Sequence, residues 1–167
     1  CKTWNVRKMA VARQVGMMKL LTLALLALLP LPATAQVQPL TPPQRQAVYL
    51  ALDDEYHALT FYQAVIAKFG RQKPFSNIVK AEQTHADRLI SVLAAAGAEV
   101  PANPYANGDK PLAVLPATRA EACALGVQAE IANVALYDDR LLPVAAGNAE
   151  LTKVFTVLRD ASLERHL

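Results

Sequence analysis

Four stretches of this chain place apolar residues at alternating steps of four and three, the spacing that lines one face of an α-helix. The first seam is Val48, Leu52, Glu55, Leu59, Tyr62, Ile66 and Phe69, and the second is Ile78, Glu82, His85, Leu89, Val92 and Ala96. The third is Cys123, Val127, Glu130, Val134, Tyr137 and Leu141, and the fourth is Leu151, Phe155, Leu158, Ser162 and His166. Each seam is apolar except where a carboxylate, an imidazole or a hydroxyl interrupts it.

Local signals bound these helices. Thr41-Pro42-Pro43-Gln44 supplies a cap, prolines in the first turn and a capping-box partner, so helix one is predicted to run to about Phe69, with Gly70 as its stop. Ser76 is the expected cap of helix two, from Asn77 to Ala96 before Gly97. Thr118-Arg119-Ala120-Glu121 repeats the capping box and opens helix three, which is expected to end near Leu142-Pro143. Asn148 caps helix four at Ala149. Between helices two and three, Pro101, Pro104, Pro111 and Pro116 exclude a regular helix. That segment is long enough to traverse a bundle and set helix three parallel to helix two. No strand pattern competes, so the expected fold is all-α, a four-helix bundle with a long crossover between helices two and three.

A leader changes the picture at the N-terminus. Residues 17–35 read as a secretory signal: Lys19, an apolar run from Leu20 to Leu29, and Ala33-Thr34-Ala35 as a cleavage site after Ala35. Residues 1–16 read as a non-native upstream extension, 36–43 as a linker and helix cap, and 44–167 as the helical domain, which stops inside its own pattern at His166-Leu167. A periplasmic or secreted protein is expected, with no stable membrane insertion once the signal is removed, because the apolar run is short for a membrane span.

Of the 17 basic residues, Lys2, Arg7, Lys8, Arg13 and Lys19 belong to the leader, which leaves 12 against 14 acidic ones in the rest of the chain. The domain is therefore slightly acidic, and nucleic-acid binding loses its main support. Cys123 is the single cysteine after the leader, so no disulfide within the domain is expected.

The chemistry lies in the interruptions. Glu55, Glu82 and Glu130 each fall in the seam of a different helix, His85 shares a face with Glu82 three residues away, and His166 lies in the fourth seam. An ionised carboxylate in an apolar interior is costly unless compensated, and carboxylates with imidazoles on rigid helices suit iron or manganese, one or two ions. Two alternatives stand beside this. Asp53 and Asp54 beside Glu55 offer a rival reading of all three as a surface cluster, and Arg159 near the fourth seam is a partner for a buried carboxylate without metal. His57 points away from the seam, toward the surface. Tyr62 and Tyr137 fall near the acidic positions, as core aromatics or as hydrogen-bonding supports of the ligands.

The chain resembles the ferritin-like superfamily, and more closely the bacterial domain of unknown function 2202 (DUF2202). Asp54-Glu55-Tyr56-x-Ala58, Pro74-Phe75-x-Asn77-Ile78 leading into Glu82-x-x-His85, Glu130 with Leu136-Tyr137-Asp138, and Ser162 to Leu167 carry the likeness, over roughly residues 44–167. The resemblance implies Glu55 as a terminal ligand, Glu82 as a bridging ligand with His85, and Glu130 as the ligand of helix three. It also implies a second Glu-x-x-His on helix four, where Leu163 stands three residues before His166 instead. Where two ions bind, the implied activity is oxidation of Fe(II) by dioxygen or peroxide, of ferroxidase or peroxidase type. A non-catalytic cell-envelope bundle with a degenerate metal site is the alternative, and a homodimer is open in either case.

Overall fold

A computed structural model describes residues 39–163, and within them all regular structure is helical. Helix α1 spans Pro42–Phe69, α2 Phe75–Ala95 and α3 Arg119–Leu136; a π-helical turn, Tyr137–Leu141, leads into a short α4, Leu142–Ala145, and α5 spans Ala149–Ala161. The leader and the expected ligand His166 lie outside the described residues. No helix among the described residues is long and apolar enough to cross a membrane.

The caps form as their chemistry dictates. Thr41 and Gln44 exchange both capping-box hydrogen bonds at the start of α1, as do Thr118 and Glu121 at the start of α3, and the Asn148 side chain accepts from the Leu151 amide. Gly70, at φ 86°, takes the conformation that stops α1. At α2 the expectation fails. Pro74 is the cap, no side chain bonds the free amides, and Ser76 lies inside the first turn.

Helix α1 packs along α2 and also against α3, while α5 packs against the same two. The segment joining α2 to α3 lies along α1. Tyr49 and Tyr56 donate to the Glu99 and Pro101 carbonyls, Asn103 donates to Thr60, and further on Lys68 donates to the Pro116 carbonyl.

Two apolar clusters fill the interior. One gathers Val48, Leu52, Leu89, Leu93, Leu141, Phe155 and Leu158, and the other Phe61, Tyr62, Val65, Phe75, Ile78 and Ala122. Burying each such large side chain contributes about 1.5–3 kcal/mol before entropy opposes it. Glu55 lies between Leu52 of the first and Phe61 of the second, and Glu82 and His85 lie between Ile78 and Leu89, so the polar residues form a layer between the two.

Of the expected third seam, Glu130, Tyr137 and Leu141 are buried, but helix α3 is rotated somewhat from the expected edge. Its buried positions are Ala122, Gly126, Glu130 and Asn133, while Cys123, Val127 and Val134 lie half-buried beside them. Small residues let the helix approach closely: a Cβ on Gly126 would lie 2.6 Å from the Tyr62 hydroxyl. The expected single helix to Leu142-Pro143 is instead relayed through the π turn.

Candidate metal centre

Three consecutive acids on α1 point three ways, because each residue advances about 100° around a helix. Asp53 turns outward to Lys110 at 2.6 Å and the Tyr105 hydroxyl at 3.1 Å. Asp54 meets α3, and Glu55 enters the core at 2% exposure. The reading of all three as one surface cluster is thereby excluded.

Glu55 meets α2 at the Glu82-x-x-His85 pair. His85 Nδ1 lies 3.2 Å from Glu55 Oε2 and 3.4 Å from Glu82 Oε2. The Tyr137 hydroxyl donates to the other oxygen, Glu55 Oε1, at 3.0 Å. The π turn begins at this tyrosine; such widened turns recur at functional sites because the extra residue re-aims a side chain. Among the described residues, Glu55, Glu82 and His85 form a group whose donor atoms lie within 4.8 Å of one another. Metal bonds of about 2.0–2.2 Å to carboxylate oxygen and imidazole nitrogen put neighbouring ligands roughly 3–3.5 Å apart, and the two contacts at His85 match that. The donors thus fit a small divalent transition ion.

The same geometry governs the protons. Burial raises the Glu55 carboxyl, but hydrogen bonding and charge from His85, with Tyr137 in support, outweigh it and hold the group below its ordinary value. Burial lowers His85, yet the two glutamates overcome it and push the imidazole up to about 9. Glu82 is pushed up to about 9, by burial first and by its acidic neighbours next, against the pull of His85. Near neutral pH the ion pair is Glu55 with His85, and Glu82 holds a proton that a metal would displace.

Glu130 is buried at 5% exposure but stands outside this group. It shares with Glu82 a cavity of about 260 Å³, to which Asp54, His57 and Tyr62 also contribute. Tyr62 is buried against Gly126, and burial with the nearby charges of Glu130 and Glu82 raises its hydroxyl far above the usual range. His57 is half-buried rather than a plain surface residue, its ring 4.9 Å from that of Tyr105. Arg159 does not reach the buried carboxylates; it pairs with Asp138 at 2.8 Å.

One polar group was missing from the sequence reading. Asn133 Nδ2 donates to Asp54 at 2.7 Å, and the Ser162 hydroxyl donates to Asn133 Oδ1 at 2.9 Å, joining α1, α3 and the end of α5. Burial, opposed by the Asn133 hydrogen bond, pushes Asp54 up to about 6. A signal for it existed: Glu130-x-x-Asn133 repeats the spacing of Glu82-x-x-His85.

Comparison with family models, with curated proteins and with solved structures finds no match to this chain.

Proposed function

We propose that this chain is an exported, ferritin-like four-helix bundle that binds iron or manganese in its core, with Glu55, Glu82 and His85 holding the first ion. The observation that carries the reading is the approach of three buried donors from two helices to within 4.8 Å of one another, with Tyr137 hydrogen-bonded to the first of them. The segment beside α1 serves as the crossover, and the DUF2202 likeness lies on these same residues. Glu130 offers a second position that shares Glu82, so the capacity is one ion or two.

A bound iron or manganese ion supplies one-electron redox chemistry with dioxygen or peroxide. The protein's part is to hold the carboxylates in place, to exclude water by burial, and to release the Glu82 and His85 protons as the ion arrives. Anaerobic titration with Fe(II), and separately with Mn(II), tests this: one or two ions per chain are expected, and none in Glu82→Ala. Absorbance changes after oxygen is admitted distinguish turnover from holding. Uptake no greater than that of the Glu82→Ala protein would sink the metal reading.

The second reading is a non-catalytic cell-envelope bundle in which the Glu55–His85 ion pair is itself the end state. It is favoured by one observation, that His85 already neutralises Glu55 at 3.2 Å.

A further inference from the structure

The three donors are 2%, 3% and 6% exposed, so an ion reaches them only by passing between helices. Among the described residues, two cavities touch the group. One, of about 260 Å³, opens between α1 and α3 and is lined by Asp54, Ala58, Glu82, Leu125 and Glu130. The other, of about 250 Å³, lies between α2 and α5 and is lined by His85, Arg88 and Asp160.

Their sizes are nearly equal, and their charges are opposed. Among the described residues, the α1–α3 cavity is lined by three acidic side chains, Asp54 and Glu130 along it and the proton-holding Glu82 at the donor group, with His57 as the nitrogen base. Among the described residues, the α2–α5 cavity is lined by Arg88 and His85, and the one carboxylate there, Asp160, is paired with Arg159 at 2.7 Å. A divalent cation is drawn into the first and repelled by the second, and low-dielectric walls sharpen the difference. The space also suffices. At roughly 30 Å³ per water, the first cavity has the volume of about nine waters, enough for a small divalent ion with its inner hydration shell.

We infer that the α1–α3 cavity is the path by which a divalent cation enters, passed from Asp54 and Glu130 to Glu82 and so to Glu55 and His85. This rests on the metal-binding reading above. Asp54 then acts on the rate of loading, and the resting affinity for the first ion is set by the three donors. Ala58 keeps the passage open.

Stopped-flow loading of the full chain with Co(II), followed by the visible absorption of the bound ion, tests the path beside an equilibrium titration. Ala58→Phe narrows the α1–α3 cavity and should slow association about tenfold, with dissociation slowed in proportion and the equilibrium affinity kept. Asp54→Asn retains the acceptor for Asn133 but removes the charge; it should slow association roughly threefold and flatten its dependence on ionic strength. Ala81→Phe, in the α2–α5 cavity, should load at the wild-type rate. If Ala58→Phe perturbs folding, Asp54→Asn decides alone. Unchanged loading in Asp54→Asn, or slowed loading in Ala81→Phe, overturns the path while metal binding stands. A wild-type chain that takes up no Co(II) at equilibrium removes both.

Discussion

Glu82-x-x-His85 on α2 and Glu130-x-x-Asn133 on α3 share spacing and burial, and they do different things. On α2 the imidazole takes up a proton and joins two carboxylates from two helices. On α3 the carboxamide cannot titrate; it donates to Asp54 and accepts from Ser162, and Glu130 remains outside the donor group. One nitrogen-bearing side chain makes a site with exchangeable protons, while the other makes a fixed hydrogen-bonded brace. Among the described residues, the donor group therefore lies on the α1–α2 pair.

Making the two motifs alike is the strongest way to break that contrast. His85→Asn removes the cation that neutralises Glu55 and leaves a buried carboxylate uncompensated, which should cost about 3–5 kcal/mol in urea or thermal unfolding. It should also abolish metal-induced stabilisation, which in the wild type amounts to about 2.7 kcal/mol at an ion concentration one hundred times the dissociation constant. Glu130→Gln should retain most of that gain. Equal losses in the two variants would move the site toward α3.

The pH dependence is the next largest effect, and its sign follows from which state holds more protons. His85 is raised from 6.5 to about 9 and Glu82 from 4.5 to about 9, so between those limits the folded, metal-free chain binds more protons than the unfolded one. Stability contributed by Glu82 is full below 4.5 and that of His85 below 6.5, and both are lost as pH rises through about 9. Glu55, held below its ordinary value, acts oppositely, losing its contribution only as acid protonates it. Metal-free protein should thus weaken steadily from pH 6.5 to 9, while the stabilisation added by metal should grow over that window as fewer protons need displacing. Unfolding curves at several pH values, with and without Mn(II), read both slopes, and parallel curves would count against displacement.

What the sequence made legible follows the range of each interaction. Both capping boxes lie within four residues, so their chemistry is complete in the local text, and the Glu82–His85 pair needs only helical spacing. The Asp54–Asn133 bond spans 79 residues and the Ser162–Asn133 bond 29, and no periodicity reports which helices turn those residues toward each other. The rotation of α3 was hidden for a related reason. Hydrophobicity favours Cys123 and Val127 as inward positions, but close approach to Tyr62 favours Ala122 and Gly126, and steric fit decided the edge.

Gly126→Ala tests that fit. The added methyl would meet the Tyr62 hydroxyl at 2.6 Å, so the ring or the helix must shift, at a cost of about 1–3 kcal/mol. Metal affinity should change little, because Tyr62 and Gly126 lie away from the triad's own contacts. A stabilised Gly126→Ala protein, gaining the helix preference of alanine without a clash, would show that α3 has room to move.

Ser162→Ala carries the smallest expected effect and sharpens the contrast from the other side. Ser162 is buried, and its hydroxyl is a donor to Asn133 Oδ1. Removing it should cost about 1 kcal/mol, the usual balance for one buried hydrogen bond between uncharged groups. Asn133 still donates to Asp54, so the brace between α1 and α3 survives, and neither the titration of His85 nor the affinity for Mn(II) should respond. An imidazole resonance followed by NMR across pH 6–10, in wild type and Ser162→Ala, makes the comparison direct. A displaced titration would mean that the end of α5 reaches the proton-bearing group through Asn133 and Asp54, and that the two Glu-x-x motifs act as one network.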